Sequence, residues 1–342
     1  MILNAGNILL IGSILLFVSI VVGKAGFRFG VPALLLFLGV GMLFGTDGLG
    51  IEFNNPQTAQ FIGVIALSII LFSGGMDTSA AEIKPVLGQG IVLATVGVMF
   101  TAFLTGYFIY YITNLENSFV TLNFTESLLL ASVMSSTDSA SVFSILRSKR
   151  QGLKENLRPM LELESGSNDP MAYMLTILLI GIIQSGENSL SNTILQFIMQ
   201  MSIGAVSGYL LGRLAVYCIN KLNINQSLYP VLLLAFVFFI FSFTDLVKGN
   251  GYLAVYLAGL VVGNHKVVHK KSLTTFFDGI TWLFQIVMFL TLGLLVNPAE
   301  LLPVAALSIL IGVFMLILAR PISVFLSLIP FRKMTTKARA YV

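Results

Sequence analysis

The stretch that decides the fold is LRPMLELESGSNDPMAYMLTILLIGIIQS, residues 157–185. It is long enough to cross a bilayer, for which about 20 mostly apolar residues suffice. Its first half nevertheless carries the polar string ESGSNDP at residues 164–170, which contains two carboxylates, an amide and a proline. A charge at the centre of a spanning helix costs about 2.5–3.5 kcal/mol even on an insertion scale. The string therefore indicates a functional site inside a membrane helix.

The composition of the whole chain indicates an integral membrane protein. Of its 342 residues, 56% are hydrophobic and only 10% are charged, whereas soluble domains are about 25% charged. We therefore predict an all-α, multi-span protein with about eleven transmembrane helices. The apolar segments are 7–22, 29–46, 57–75, 85–113, 124–147, 157–184, 193–221, 227–245, 250–264, 274–297 and 301–329.

The basic residues fall on alternate sides of the predicted helices. All of the 19 Lys and Arg residues except Lys248 and Arg320 lie in loops or helix ends on one side. By the positive-inside rule that side is cytoplasmic, the N-terminus is outside and the C-terminus is inside. The net charge of +4 is thus a topology signal and indicates no nucleic-acid partner. We predict a multi-pass protein of the cell inner membrane, surrounded by lipid bilayer.

The sequence predicts neither a disulfide nor a resident cofactor. Cys218 is the only cysteine, and His265 and His269 lie together in one lysine-bearing loop. No Cys/His cluster has the spacing of a metal site, so a structural zinc ion is not expected. The N-terminus lacks a basic region and a cleavage pattern, which favours a retained first helix over a cleaved signal.

Few charged residues fall inside the predicted spans. They are Asp138, Glu164, Asp169 and Arg320, with Glu162 nearer the cytoplasmic end. An unpaired guanidinium is costly inside a membrane, and Arg320 is the only cation expected to be buried there. We predict a structural ion pair between Glu164 and Arg320, in preference to a direct substrate role for Glu164. Asp169 is then the least compensated acid.

The fifth span is expected to be interrupted within SSTDSAS, residues 135–141. Ser135, Ser136 and Ser139 can compete for backbone hydrogen bonds and so favour unwinding of the helix. Irregular backbone at this depth is tolerated where it is buried in protein or lines a wet cavity. Asp138 is then either a counter-charge for helix N-termini or a direct ion ligand, and its residue type fits both roles.

The sixth span is expected to bend beside Asp169. Pro170 lacks a backbone donor and its ring clashes with the carbonyl of Gly166, which leaves an unpaired carbonyl near the carboxylate. A carboxylate beside carbonyl and hydroxyl oxygens suits a dehydrated alkali cation, because hard cations prefer oxygen ligands. Asn168 adds an amide without a charge, so the Asn-Asp pair carries one titratable group. We predict that Asp169 binds a monovalent cation.

Four motifs together resemble the NhaP-type monovalent cation:proton antiporters, and their second half is most similar to the bacterial potassium/proton members. They are SSTDSASVFSIL at 135–146, LELESGSNDPMA at 161–172, GNGYLAVYLAGLVVGN at 249–264 and LARPISVF at 318–325. The motifs occur in the family's order, and the resemblance extends over essentially the whole chain.

This resemblance implies roles for individual residues. In such antiporters the aspartate that matches Asp169 binds either the cation or a proton. The matching positions that surround or support it are Thr137, Glu164, Ser165 and Asn168. The aspartate matching Asp138 sits at the break of an unwound helix, and the arginine matching Arg320 steadies the core. An Asn-Asp pair implies electroneutral exchange.

The resemblance also implies an architecture. Its fold is an inverted repeat with two crossed, interrupted helices and a separate dimerisation region, and its members are generally homodimers. Relatives continue past the arginine helix into a second interrupted helix and a final span. We therefore expect residues 1–342 to form a single transmembrane antiporter domain that is incomplete at its C-terminus, lacks the last two spans and carries no cytoplasmic regulatory domain.

The predicted function is secondary active transport. K⁺ or Na⁺, with Li⁺ as a further candidate, would exchange one for one with protons by competing for Asp169 under alternating access. Two alternatives are a cation channel, which would pass current without proton coupling, and a non-transporting membrane sensor. An intramembrane aspartyl protease would need a Gly-x-Gly-Asp motif, which the chain lacks. We expect no enzymatic activity.

Overall fold

In the computed structural model of the chain, the described residues are 5–29, 32–115, 120–137, 142, 156–185, 190–331 and 334–341. Over these residues the regular structure is entirely helical, without a strand. The helices are α1 (Ala5–Phe29), α2 (Ala33–Phe44), α3 (Pro56–Asp77), α4 (Ala80–Thr113), α5 (Phe124–Met134), α6 (Leu157–Ser185), α7 (Leu190–Lys221), α8 (Leu228–Leu246), α9 (Gly251–Asn264), α10 (Lys270–Leu295), α11 (Pro298–Ser327) and α12 (Thr336–Tyr341).

The apolar helices follow the order that the sequence predicts. Among the described residues, seven helices are long and apolar enough to cross a membrane, namely α3, α4, α6, α7, α8, α10 and α11. Four shorter apolar helices lie in α1, α2, α5 and α9. The prediction of an all-α, multi-span protein is therefore confirmed. Helix ends differ by several residues from the apolar segments, because polar residues at the membrane surface continue a helix without adding to its hydropathy.

Two helices deviate from regular α geometry in the same succession. α4 contains a 3₁₀ turn at Lys84–Val86 and a π-helical turn at Leu93–Gly97. α11 contains the same two kinds of turn at Leu302–Val304 and Met315–Ala319. In both helices a proline lies in the 3₁₀ turn, where the missing N–H is tolerated. Such a recurrence of local structure is what an internal repeat produces.

The chain divides into two compact units. The first contains α1, α2, most of α3 and most of α10, and the second contains α4 to α9 and most of α11. In the first unit, α2 and α10 approach at backbone distance, since a Cβ added to Gly293 would lie 2.3 Å from the Leu38 carbonyl oxygen. The second unit carries every candidate site residue that the structure describes. Its residues are Leu71–Lys271 and Ala306–Val342.

Within the second unit, α9 packs against two helices through small residues. On the α7 side, a Cβ added to Gly208 would lie 2.5 Å from the Ala254 carbonyl oxygen. On the α3 side, a Cβ added to Gly259 would lie 2.2 Å from the Phe72 carbonyl oxygen. Small residues let helix backbones approach closely in membranes, where packing replaces the hydrophobic effect as the driving force. α9 is therefore held firmly between α3 and α7.

A methyl group at this crossing should destabilise the fold. We expect Gly259→Ala to lower the free energy of unfolding by about 1–3 kcal/mol, the usual cost of overpacking, because backbone atoms of α3 must move aside. The thermal unfolding midpoint of the purified protein in detergent measures this effect. Gly279→Ala is the matched control, since nothing lies within 4 Å of a Cβ at that position. Equal midpoints for the two variants would contradict the close crossing.

Candidate functional site

The candidate site is built where α5 ends against the middle of α6. α5 begins with a capping box, in which Asn123 Oδ1 accepts from the Glu126 backbone N–H and the Glu126 carboxylate accepts from that of Asn123. It ends at Met134, where the sequence predicts the interruption, and the chain then turns. Ser132 of α5 and Thr176 of α6 join the two helices, with 3.0 Å between their hydroxyl oxygens. The segment after α5 is thereby placed beside the polar turn of α6.

Asp169 contacts a hydroxyl from this turn. The Ser136 hydroxyl donates to Asp169 Oδ1, and Ser136 Oγ also lies 3.1 Å from Asn168 Oδ1. The Asp169 side chain is partly exposed, whereas Asn168 is fully buried. Hydroxyl and carboxylate oxygens at one point are the ligand type that an alkali cation prefers. The sequence pattern predicts Ser136 at the helix break but does not predict its contact with Asp169. A hydroxyl directly before Thr137 was the available signal.

Asn168 connects the segment after α5 to the buried Glu164. Its Nδ2 group donates to Thr137 Oγ1 at 2.6 Å and to Glu164 Oε1 at 2.9 Å. Thr137 Oγ1 lies 3.3 Å from Ser165 Oγ, which is also fully buried. Because both amide hydrogens have acceptors, the side chain is fixed with its oxygen towards Ser136. Asn168 therefore supports the site without adding a charge to it.

Glu164 and Arg320, which the charge balance of the sequence predicts as partners, form an ion pair in the structure. Arg320 Nη2 donates to Glu164 Oε1 at 2.6 Å, and the two side chains are 17% and 2% exposed. Arg320 Nη1 is buried and has no hydrogen-bond partner within the described residues, so the pair is joined through one nitrogen. Each member of this buried pair neutralises the charge of the other, so the loss of either side chain would leave an uncompensated charge in the interior.

The backbone around Arg320 is anchored to α4. The π-helical turn Met315–Ala319 directly precedes the arginine, and π turns are frequent at functional sites. Three residues after Arg320, the Ser323 hydroxyl donates to the Gly97 carbonyl oxygen at 2.6 Å. Thr101 donates to Ser323 Oγ at 2.9 Å. The Gly97 carbonyl belongs to the π turn of α4, so this contact joins that turn to the helical segment that follows the π turn of α11.

The remaining predicted residues have local roles or are not described. Ser135 is buried and donates to the Ser132 carbonyl oxygen at 2.8 Å, which closes the end of α5. Pro170 lies inside α6, which remains helical on both sides of it. Asp138 and Ser139, for which the sequence predicts roles at the helix break, lie outside the described residues.

Glu162 is a second buried acid on α6, at 7% exposure. It accepts from Arg158 Nε at 2.9 Å, four residues earlier on the same helix. The Arg158 side chain is 41% exposed, so this pair lies nearer to solvent than that of Arg320. Among the described residues no group of three or more His, Cys, Asp and Glu side chains could hold a metal ion.

Comparison with known proteins finds one family by sequence. The family model described as "Sodium/hydrogen exchanger, transmembrane" matches residues 12–342. A K(+)/H(+) antiporter NhaP of Alkalimonas amylolytica is 43% identical over 326 residues, which is 95% of this chain and 55% of the relative. A K(+)/H(+) antiporter NhaP2 of Shewanella sp. (strain ANA-3) is 37% identical over 99% of this chain and 58% of the relative. The chain thus spans little more than half the length of these relatives.

A solved structure has the same fold. The sodium proton antiporter MjNhaP1 from Methanocaldococcus jannaschii superposes with a TM-score of 0.82 at 23% sequence identity. The match covers 96% of this chain and 80% of that chain. At this identity the likeness shows the fold alone, and it confirms the all-helical, antiporter-like fold class that the resemblance implied.

Proposed function

The chain belongs to the sodium/hydrogen exchanger family, and from this premise we propose that it is an electroneutral monovalent cation/proton antiporter. The observation that carries the proposal is the division of charge along one turn of α6. Glu164 is paired with Arg320 at 2.6 Å, and Asn168 is a neutral amide with both hydrogens engaged. Asp169 contacts the Ser136 hydroxyl and is partly exposed. On this turn of α6, Asp169 is thus the carboxylate that lies beside the Ser136 hydroxyl, and we assign the transported ion to it.

The proposed cycle uses Asp169 as the shared ligand. When the Asp169 carboxylate is deprotonated and accessible from one side of the membrane, it binds a cation together with neighbouring oxygens such as that of Ser136. The protein then opens to the other side, the cation leaves, and a proton neutralises the carboxylate for the return. Each half-cycle moves Asp169 with one positive charge bound. The exchange is therefore one for one and carries no net current.

The oxygen ligands support a monovalent alkali cation as the substrate. The 37–43% identical relatives are named as K(+)/H(+) antiporters, and the structural neighbour is titled a sodium proton antiporter. We propose K⁺ or Na⁺, with Li⁺ as a third ion to be tested, because selectivity depends on cavity size and ligand number. Transport of this kind requires no enzymatic reaction and no resident cofactor.

The setting that we propose follows from charge placement. Basic residues favour a cytoplasmic C-terminus and an outside N-terminus in a bacterial inner membrane. A homodimer is proposed on the family's fold. In this setting the protein would exchange cytoplasmic or external alkali cations for protons across the inner membrane.

Proton movement in vesicles tests the proposal. The protein is reconstituted into vesicles with a pH-sensitive dye inside, and K⁺, Na⁺ or Li⁺ is added outside. We expect a cation-dependent pH change that persists when the membrane potential is clamped at zero. Because proton and cation compete for one group, the cation concentration for half-maximal exchange should rise as the pH falls. Cation current without a pH change would indicate a channel, and no flux of either ion would indicate a sensor. Both outcomes would refute exchange.

A further inference from the structure

We infer that Asn250 is a positioning residue for Asp169, an inference that rests on the proposed function. Asn250 is the residue before α9, and its side chain is 4% exposed. Its Nδ2 group donates to the carbonyl oxygen of Pro170 at 3.2 Å, across 80 residues of sequence. Pro170 directly follows Asp169 in α6. The amide of Asn250 therefore holds the peptide group next to the proposed ion-binding carboxylate.

The other atoms of Asn250 are also engaged. Its Oδ1 accepts from the Leu253 backbone N–H at 2.9 Å, which caps the N-terminus of α9. Its backbone N–H donates to the Gln200 carbonyl oxygen of α7 at 2.9 Å. Because an asparagine caps a helix with its oxygen alone, the amide nitrogen remains available for a second helix. The residue thus joins α6, α7 and α9 at one buried point.

The two glycines that flank Asn250 allow this approach. A Cβ added to Gly249 would lie 2.6 Å from a methyl carbon of Ile203, and one added to Gly251 would lie 2.8 Å from the ring of Phe241. Larger residues would push the start of α9 away from its neighbours. The Gly-Asn-Gly sequence therefore combines close packing with one amide donor.

A second contact of α9 lies one turn away on α6. The ring of Tyr256 covers Gly166, where an added Cβ would lie 2.5 Å from Tyr256 Cε2. Asn250 and Tyr256 are six residues apart, about 9 Å along α9, and Gly166 and Pro170 are four apart, about 6 Å along α6. The turn of α6 between these two contacts contains Asn168 and Asp169. α9 therefore supports this turn at both of its ends.

This support is rigid because α9 itself is tightly held. A Cβ added to Gly75 of α3 would lie 2.3 Å from the Tyr256 carbonyl oxygen, and one added to Gly204 of α7 would lie 2.7 Å from that of Asn250. Packed helices at backbone distance cannot shift gradually. Loss of the Asn250 amide should therefore leave the fold intact but release the Pro170 carbonyl, which changes how Asp169 meets Ser136.

Replacement of Asn250 by serine separates this role from helix capping. Asn250→Ser retains a good N-cap oxygen but lacks the amide donor and is shorter. Asn123→Ser is the matched control, since Asn123 also caps a helix through its Oδ1 and donates to none of the described site residues. Both variants and the wild type are reconstituted and assayed for cation-driven proton movement at several pH values. Thermal midpoints in detergent show whether the two substitutions cost similar stability.

We expect Asn250→Ser to change the cation concentration for half-maximal exchange by about 2- to 10-fold, the range of one neutral hydrogen bond, and to shift the pH profile. Asn123→Ser should leave both quantities at the wild-type values. If Asn250→Ser does not accumulate, Asn250→Thr replaces it, because threonine also supplies a cap oxygen, adds no charge at this buried position and lacks the amide donor. Wild-type half-saturation and pH profile in the Asn250 variant would overturn the inference and leave the proposed function standing. Absence of exchange in the wild type would overturn both.

Discussion

Asp169→Asn should reduce cation-driven proton movement to the level of protein-free vesicles. An amide carries no negative charge and neither takes up nor releases a proton, so it can bind neither the cation nor the transported proton. The Ser136 hydroxyl can still donate to the amide oxygen, since the contact at Asp169 Oδ1 needs only an acceptor. The substitution conserves shape, and the variant should therefore reach the membrane and unfold at about the wild-type temperature. Proton flux and thermal midpoint are measured on the same preparation.

Two further variants define what a loss of exchange means. Asp169→Glu keeps a titratable carboxylate on a side chain that is longer by one methylene, and we expect reduced exchange that is still above background. Glu52→Gln makes the same change from carboxylate to amide at an exposed position in the first unit and should exchange like the wild type. Exchange at the wild-type rate by Asp169→Asn would rule out Asp169 as the shared ligand.

Removal of one member of the Glu164–Arg320 pair should cost about 3–5 kcal/mol of stability, because the partner is left as an uncompensated buried charge. Glu164→Gln leaves the Arg320 guanidinium without its partner, and Arg320→Gln leaves the Glu164 carboxylate, which is 2% exposed, without a counter-charge. The double variant Glu164→Gln/Arg320→Gln removes both charges and should recover most of the loss. The quantities to compare are the amount of protein in the membrane and the thermal midpoint in detergent.

The pair between Arg158 and Glu162 provides the control on the same helix. Its nitrogen–oxygen distance is 2.9 Å, close to that of the buried pair, but the arginine side chain is 41% exposed. Pairs that reach solvent are worth about 1 kcal/mol or less, and Glu162→Gln leaves only the exposed Arg158 guanidinium, which stays in contact with solvent, so Glu162→Gln should lower the midpoint only slightly. An additive double variant at Glu164 and Arg320, without recovery, would show that the two charges do not depend on each other.

The Glu164–Arg320 pair could be predicted from the sequence for a physical reason. Few charges fall inside the apolar segments, and a guanidinium there needs a partner. Asn168 follows Glu164 by four residues, and the spacing of a helix places the two side chains on one face. The observed hydrogen bond of 2.9 Å between them agrees with that spacing. These relations depend on local geometry and on the high cost of an isolated charge, both of which are legible in the sequence.

Contacts between distant segments could not be read in the same way. The Ser136 contact with Asp169 joins two segments 33 residues apart, and the Asn250 contact with Pro170 joins two that are 80 residues apart. Serine and asparagine are compatible with many neighbours, because either can donate, accept or simply end a helix. The sequence pattern placed Ser136 at a helix break and left Asn250 without a role.

By itself, the sequence determined the all-helical membrane class, the order of the apolar helices and the few acids on which the proposed transport would depend. These follow from the cost of burying charge and backbone polar groups in lipid, which acts on every residue locally. Only the tertiary structure decided which oxygen meets Asp169 and what holds its helix turn in place. Those choices arise where glycine-lined helices meet at backbone distance, and the energy of such a crossing depends on both helices together.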